Sequence, residues 1–207
     1  MFDLDGTLTD PHEGITRCVT HAFERLGRPS PSPQELRSFI GPPLQDSFSQ
    51  WVPANEVQDA VRFYRERFNA VGWRENEVYE GVPPLLGVMA GRGHKMIVAT
   101  SKPAVFAERI IEHFELAGYF DCVVGASLDG SLRHKSDLIA KALIDTDTSA
   151  SAAVMIGDRE QDVVGAKAND VRAIGVLWGY AEAGELEAAH ADALAASPAD
   201  LAALIPA

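Results

Sequence analysis

The second half of the chain alternates short apolar runs with segments of helical spacing, and this alternation narrows the possible folds more than any other feature. The runs are rich in Val and Ile and cover residues 95–99, 122–125, 152–156 and 171–176. Between them, apolar residues recur at helical intervals, as in 105–114 and 138–143. Short buried strands that alternate with helices are typical of a parallel sheet covered on both faces. The pattern therefore predicts a doubly wound α/β core.

Polar residues follow the apolar runs at the points where the predicted strands end. Thr100 and Ser101 follow the first run, and Gly157 and Asp158 follow the third. In open α/β sheets, ligands bind beyond the carboxyl ends of the strands. We therefore expect a ligand site at this edge of the predicted sheet.

The chain begins with Met-Phe-Asp-Leu-Asp-Gly-Thr, which places two carboxylates two residues apart. In an extended strand, Asp3 and Asp5 point to the same side. A cation between them relieves their repulsion, and Mg²⁺ typically binds one or two carboxylates together with substrate phosphate. Gly6 permits a sharp turn and brings backbone N–H groups close to an anion. Because Asp is also common in turns and helix caps, this motif alone leaves a structural role open.

Residues 11–79 lack a clear strand run and show helical spacing instead. One apolar series extends from Ile15 to Leu26 and a second from Val57 to Phe68, with proline-containing breaks between them. We interpret this stretch as a small all-α insert after strand one.

The insert divides the chain into two predicted domains. The α/β core comprises residues 1–10 and 80–207, and the helical domain comprises 11–79. Residues 9–11 and 80–83 are the predicted connections. The alanine-rich segment after residue 181 still carries helical and strand-like pieces, so we expect it to form the last layer of the core.

Composition excludes several classes of partner. The 207 residues carry a net charge of −12, whereas binding to a nucleic acid polymer or an anionic membrane needs a basic patch. No apolar run approaches the roughly 18 residues of a transmembrane helix, and no signal peptide is visible. Cys18 and Cys122 lack metal-binding spacing and are predicted to be free thiols. We expect a cytoplasmic protein that acts on a small molecule; the sequence does not indicate its oligomeric state.

Four motifs in order resemble those of the haloacid dehalogenase (HAD) superfamily. They are Asp3-Leu4-Asp5-Gly6-Thr7, the strand ending at Thr100, Lys135 before a helix, and Gly157-Asp158-Arg159-Glu160-Gln161-Asp162. Lys102 and Lys141 fit the position of the third motif less well than Lys135. Segments 39–44, 156–169, 174–176 and 179–180 look like the phosphoglycolate phosphatase and 5′-nucleotidase branch, in which a helical cap is inserted between motifs one and two.

The resemblance implies a Mg²⁺-dependent phosphatase that hydrolyses a small phosphate monoester, such as phosphoglycolate or a nucleoside 5′-monophosphate. Asp3 would be the nucleophile that forms an aspartyl-phosphate, and Asp5 the general acid and base, with Thr100 and Lys135 also catalytic. The implied phosphate-binding residues are Gly6, Thr100, Ser101 and Lys135. The implied Mg²⁺ ligands are Asp3, the backbone carbonyl of Asp5, Asp158 and, directly or through water, Asp162.

Two other functions stay open. A sugar phosphomutase uses the same pair of aspartates but returns the phosphoryl group to a sugar. A catalytically silent HAD-fold binding protein is the alternative from a different class. Its best support is the short first strand, since only Met1 and Phe2 precede Asp3. This departure from the family leaves open that the numbering begins inside a longer natural chain.

The helical insert offers candidates for substrate contact, each with a structural alternative. The polar candidates for the leaving group are Arg37, Gln45, Ser47 and Arg62, for which a solvated surface is the alternative. Those for stacking on a base are Phe48, Trp51 and Trp73, for which the core of the insert is the alternative. His12 lies near the site in sequence, and packing at the connection explains it equally well.

Overall fold

The structure is a computed structural model that describes residues 1–205. It divides into two compact units. The core unit consists of Met1–Asp10 and the chain from Val78 onward, and the helical unit is Pro11–Glu77.

The two units contain the following elements. The strands are β1 Thr9–Asp10, β2 Glu77–Val78, β3 Ile97–Pro103, β4 Cys122–Ala126, β5 Val154–Gly157, β6 Arg172–Val176 and β7 Ala193–Ala195. The α-helices are α1 His12–Arg25, α2 Pro33–Leu36, α3 Leu44–Ser49, α4 Val57–Ala70, α5 Val82–Gly91, α6 Ala104–His113, α7 Lys135–Asp145, α8 Glu160–Lys167, α9 Glu185–Ala188 and α10 Pro198–Leu204. Short 3₁₀ helices cover Arg37–Phe39, Gly72–Arg74, Ala117–Tyr119 and Ala150–Ala152.

The core unit is built on a parallel sheet in which the first three residues are the central element. Phe2 forms parallel bridges to Val98 of β3 and Ile156 of β5. The Phe2 N–H donates to the Ile97 carbonyl at 2.8 Å, and the Asp3 N–H donates to the Ile156 carbonyl at 2.8 Å. The order across the sheet is therefore β4, β3, residues 1–3, β5, β6 and β7, all parallel. The short first strand predicted from the sequence, residues 1–3, is thus hydrogen-bonded on both sides.

Both faces of this sheet are buried. On one face, Ile97, Ala99 and Met155 pack in a cluster with residues of α7 and α8. The alternate residues of the same strands, Val98 and Ile156, point to the opposite face and are also buried. The predicted doubly wound α/β fold is confirmed, because the sheet is parallel, both faces are buried, and α6 and α7 both pack against β3 and β4.

The predicted connection over 80–83 leads directly into helix α5, and its role as a hinge stays a prediction. Helix α5 begins at Val82, and Pro83 lies in its first turn, where the missing N–H of proline costs no intrahelical bond. Gly81 precedes the helix with φ of 85°, a left-handed conformation that glycine adopts readily.

The helical unit has an aromatic core of its own. The ring of Phe48 contacts the rings of Phe23, Phe39 and Tyr64, with centroid distances of 6.2, 5.2 and 6.3 Å. Trp51 packs against Phe39 at 5.9 Å. Phe48 is fully buried, so its packing fits the core alternative rather than stacking on a base. No helix within the described residues is both long and apolar enough to span a bilayer.

Candidate active site

Four charged side chains from separate parts of the sequence meet at the carboxyl edge of the central strands. Asp3 ends the central segment of residues 1–3, Asp158 directly follows β5, Lys135 begins α7 and Asp162 lies in the first turn of α8. Their exposed fractions are 4% for Asp3, 0% for Asp158, 6% for Lys135 and 2% for Asp162. Buried charges of this kind persist only when they are paired or bind ions.

The Lys135 ammonium group links two of the carboxylates. Its Nζ lies 2.9 Å from Asp3 Oδ1 and 2.7 Å from Asp162 Oδ1, and it donates to the Ala99 carbonyl at 3.1 Å. Asp3 Oδ1 also accepts from the backbone N–H of Leu4 at 2.8 Å. Three donations occupy all the hydrogens of an ammonium group. Lys135 therefore holds the carboxylate of Asp3 close to Asp162 in the first turn of α8.

The carboxylate of Asp158 is held by a loop on each side. Its Oδ1 accepts from the Thr7 hydroxyl at 3.2 Å, and its Oδ2 accepts from the Tyr180 N–H at 2.8 Å. Glycines make this approach possible, since a Cβ at Gly6 would lie 2.1 Å from Asp158 Oδ2 and one at Gly179 2.4 Å from Asp158 Cβ. Gly6 also has φ of 84°, which fits the turn predicted for it.

Gly179→Ala is expected to displace Asp158. The new Cβ would also lie 2.4 Å from the Gly6 carbonyl, so a backbone segment must move as well. We expect a loss of about 1–3 kcal/mol in the free energy of unfolding. We also expect about 10- to 100-fold weaker Mg²⁺ binding, because the hydrogen bond from Tyr180 is lost.

Urea unfolding and calorimetric Mg²⁺ titration measure both effects of Gly179→Ala. Gly87→Ala is the matched control, since a Cβ at this position of α5 has open space around it. That control is expected to be neutral or slightly stabilising. Unchanged Mg²⁺ binding by Gly179→Ala would contradict the role given to the glycine.

Burial and mutual repulsion raise the pKa values of two carboxylates in this cluster. Burial raises the pKa of Asp158 well above its usual range, and the Asp162 and Asp3 charges raise it further. Burial also raises the pKa of Asp162, to about 6, although Lys135 opposes the shift. Burial works to lower the pKa of Lys135, but the charges of Asp162 and Asp3 outweigh it and raise that pKa. Three carboxylates thus share one ammonium, which leaves an excess of negative charge.

This excess makes the stability of the metal-free protein depend on pH. The pKa of Asp162 is higher in the folded chain than its value of 3.8 in the absence of structure. Its contribution to stability is therefore full below pH 3.8 and is lost as the pH rises through about 6. Between pH 5 and pH 7 in EDTA, we expect the ionisation of Asp162 to lower the free energy of unfolding by about 1 kcal/mol.

Thermal unfolding in EDTA across pH 5–7 tests this expectation. Asp162→Asn removes the titrating group while keeping an oxygen that can accept from the Arg159 N–H, which lies 3.1 Å from Asp162 Oδ2. The melting temperature of the variant relative to that of the wild type should rise between pH 5 and pH 7. Parallel pH curves for the two proteins would contradict the expected role of Asp162.

The three carboxylates fit a hard divalent cation. One oxygen from each of Asp3, Asp158 and Asp162 lies within 4.8 Å of the others, and all three residues are buried. Carboxylate oxygens are the ligands that Mg²⁺ prefers, and a cation would offset the excess negative charge described above. The chemistry of this donor set therefore matches the predicted cofactor.

A second buried ion pair lies beside this cluster. Lys102 Nζ lies 2.6 Å from Asp5 Oδ2, and the side chains are 6% and 10% exposed. The other oxygen, Asp5 Oδ1, is buried and has no hydrogen-bond partner. Burial raises the pKa of Asp5 above its usual value, and the charge of Lys102 offsets only part of this shift.

The position of Lys102 was not predictable from local sequence, because it depends on a register shift between two strands. The pairing of β3 with β4 is regular up to Thr100 and resumes only at Pro103. Gly125 of β4 permits the close approach here, since a Cβ on it would lie 2.7 Å from the Lys102 carbonyl. The Thr100-Ser101-Lys102-Pro103 sequence was the available signal, but the bulge depends on the neighbouring strand.

The remaining predicted phosphate-binding residues lie in the same region of the core unit. Thr100 is buried, and its hydroxyl oxygen accepts from the Lys102 N–H at 3.2 Å. Ser101 follows it and is half-buried. The Gly6 N–H donates to the Thr9 carbonyl at 2.8 Å. Their phosphate-binding roles, like the metal-binding role of the Asp5 carbonyl, stay predictions.

The candidates in the helical unit have varied surroundings. Arg37 is exposed, Gln45 is half-buried, and Ser47 is buried with a hydroxyl oxygen that lacks a hydrogen-bond partner. Arg62 is exposed and pairs with Asp59 Oδ1 at 2.8 Å. Trp73 lies under the guanidinium of Arg74 at 5.5 Å, and the carbonyl of His12 accepts from the Thr16 hydroxyl at 2.7 Å. Their roles toward a substrate stay predictions.

Comparison with known families identifies the family of the chain. A sequence profile described as haloacid dehalogenase-like hydrolase matches residues 1–176, which include all four motifs. The chain belongs to this family. Family membership and the predicted enzyme class, a phosphoric monoester hydrolase, are therefore confirmed, with support from the relatives below.

Three similar proteins have names that refer to the transfer or hydrolysis of phosphate groups. A 5′-nucleotidase from Pseudomonas aeruginosa is 47% identical over 190 residues, covering 91% of this HAD-family chain and 86% of that protein. The crystal structure of a predicted phosphatase from Clostridium acetobutylicum has a TM-score of 0.94 and 42% identity, covering 98% of this chain and 95% of that one. The tyrosine-protein kinase PtkA from Mycobacterium tuberculosis is 37% identical over 183 residues. These cover 88% of this chain but only 63% of PtkA.

Proposed function

We propose that the protein is a Mg²⁺-dependent phosphatase for a small phosphate monoester and acts through an aspartyl-phosphate on Asp3. The observation that carries this proposal is the buried Asp3 carboxylate, which contacts Lys135 and lies beside Asp158 and Asp162. The 5′-nucleotidase at 47% identity supports a nucleoside 5′-monophosphate as substrate, and phosphoglycolate is the other candidate. Neither Cys18 nor Cys122 forms a disulfide, which fits the proposed cytoplasmic location.

Asp3, Asp158 and Asp162 would hold the Mg²⁺, together with the backbone carbonyl of Asp5. When bound, the ion supplies positive charge that reduces the repulsion between a carboxylate nucleophile and an anionic phosphate. The protein itself supplies the buried, oriented carboxylates. Because Lys135 and Leu4 both hold Asp3 Oδ1, the orientation of the nucleophile is fixed before the substrate binds.

The proposed reaction has two steps that restore both aspartates. First, an oxygen of Asp3 forms a bond to phosphorus while the bond to the leaving oxygen breaks, and Asp5 gives that oxygen a proton. Water then attacks the phosphorus of the aspartyl-phosphate and gives a proton to Asp5, releasing inorganic phosphate and Asp3. Protonation of the leaving group is worth about 10²- to 10⁴-fold in rate.

Donors around Asp3 would bind the oxygens of the transferred group. We assign this role to the Thr100 hydroxyl and to backbone N–H groups near Gly6 and Ser101. The Lys135 ammonium would act on the phosphoryl group through its positive charge, because its three hydrogens are already donated. Buried, preoriented donors stabilise developing negative charge better than water does, because they need no reorientation during the reaction.

Phosphate release from a panel of esters tests the proposal. The panel contains p-nitrophenyl phosphate, phosphoglycolate and nucleoside 5′-monophosphates, each with Mg²⁺ and with EDTA. We expect turnover that EDTA abolishes, and the panel ranks the substrates. Absence of turnover in folded, Mg²⁺-loaded protein would instead support the silent binding protein.

Product analysis separates the phosphatase from the phosphomutase. With a hexose 1-phosphate, a phosphatase releases inorganic phosphate, whereas a mutase yields the isomeric hexose phosphate. Formation of the isomer without phosphate release would overturn the proposed hydrolysis.

A further inference from the structure

Lys102 and Asp5 form an ion pair in which the two carboxylate oxygens have different surroundings. Oδ2 lies 2.6 Å from the Lys102 ammonium, while Oδ1 is buried without a hydrogen-bond partner. Both residues are more than nine-tenths buried, with 7% of Asp5 and 9% of Lys102 exposed. A buried acceptor without a partner is rare and calls for an explanation.

The chemistry of an ammonium group decides which oxygen of Asp5 can exchange a proton with a ligand. Lysine has three donors and no acceptor, so an oxygen 2.6 Å from its Nζ accepts and has no room to donate there. The proton that Asp5 gives to a leaving group must then sit on Oδ1. The unpartnered state of Oδ1 is what such a role requires, because the substrate would be its partner.

The backbone around Lys102 is built to deliver this contact. The register shift after Thr100 interrupts the regular pairing of β3 with β4, and a β-bulge of this kind re-aims a side chain. Gly125 accommodates the bulge, since a Cβ there would lie 2.6 Å from the Ala104 backbone N.

We propose that Lys102 is a positioning residue for Asp5, which occupies Oδ2 and leaves Oδ1 directed at the leaving oxygen of the substrate. The proposal rests on the function proposed above, in which Asp5 is the general acid. It distinguishes Lys102 from Lys135, whose contacts are with Asp3 and Asp162.

The test compares substrates that differ in their need for a proton. The phenolate of p-nitrophenyl phosphate leaves without protonation, whereas the alkoxide of an alkyl phosphate ester requires it. Lys102→Met should lower kcat/KM, which reports formation of the aspartyl-phosphate, by about 10²-fold or more on the alkyl ester and by less than about tenfold on p-nitrophenyl phosphate. Lys102→Arg, which keeps a charged donor, should restore part of the difference. Equal losses on both esters, or no loss, would overturn the proposal.

A double variant distinguishes the loss of a positioning role from a loss of folding. Lys102→Met leaves a buried carboxylate without its partner, but Asp5→Asn with Lys102→Met removes both charges. If Lys102 acts through Asp5, the double variant should turn over the alkyl ester no more slowly than Asp5→Asn alone. A further loss in the double variant would overturn the proposal.

Two references complete the design. Lys141→Met removes an exposed lysine that pairs with Asp145 Oδ2 at 2.8 Å, and it should leave both activities unchanged. The wild-type protein reports on the proposed function itself. If it hydrolyses neither ester, the phosphatase proposal fails; if it hydrolyses both and Lys102→Met affects them equally, only the positioning role fails.

Discussion

Asp3→Asn is expected to lower phosphate release by about four orders of magnitude or more. The amide cannot serve as the carboxylate nucleophile, yet it has nearly the same shape. Asp3 is 4% exposed and pairs with Lys135 at 2.9 Å, so the amide would occupy the same place without the carboxylate charge. The measurement is phosphate release with Mg²⁺ under saturating substrate, together with acid quenching after exposure to a radiolabelled phosphate ester. Label should remain on the wild-type protein and not on the variant.

The same substitution should leave the fold intact. The charge of Asp3 raises the pKa values of Asp158 and Asp162, so its removal relieves repulsion within the cluster. In EDTA, the melting temperature of Asp3→Asn should equal or exceed that of the wild type. Asp59→Asn, on an exposed aspartate of α4, is the matched control and should retain full activity. Labelling of Asp3→Asn at the wild-type level would show that another residue is the nucleophile.

Lys135→Met is expected to destabilise the protein by about 3–5 kcal/mol, because it strands two buried carboxylates. The lysine pairs with Asp3 and Asp162 and is 6% exposed, so water cannot replace its charge. Methionine keeps most of the apolar volume and thus isolates the electrostatic loss. Urea unfolding in EDTA measures the change in the free energy of unfolding, and Mg²⁺ should recover part of it by binding the folded carboxylates.

Lys141→Met gives the scale for this measurement. Lys141 pairs with Asp145 on the same helix, α7, and its side chain is 49% exposed. Exposed pairs of this kind contribute about 0.3–0.5 kcal/mol. A cost for Lys135→Met no greater than that of Lys141→Met would mean that the buried pairs add nothing to stability.

Short-range periodicity was sufficient to predict most of the core elements. The apolar run at 122–125 matches β4 Cys122–Ala126, and the helical spacing of 138–143 lies within α7 Lys135–Asp145. The pattern works because each of these segments buries a regular set of its own side chains.

The first strand shows where periodicity ends. Residues 1–3 are too few to form a pattern, and their role comes from hydrogen bonds to β3 and β5, which lie far away in the sequence. The order of motifs at strand ends was readable, and the structure brings Asp3, Lys135, Asp158 and Asp162 into one cluster. The resemblance to known motifs, rather than spacing alone, singled out Lys135 among the lysines.

The sequence by itself determined the strand and helix order, the family and the residues of the carboxylate cluster, because these depend on local pattern and motif. Only the tertiary structure decided which lysine faces which aspartate. Lys102 reaches Asp5 through a bulge that exists because β3 pairs with β4 beside Gly125. Asp158 is fixed by Thr7 and Tyr180, which come from opposite ends of the chain. Such contacts depend on packing between distant segments, and no local pattern encodes them.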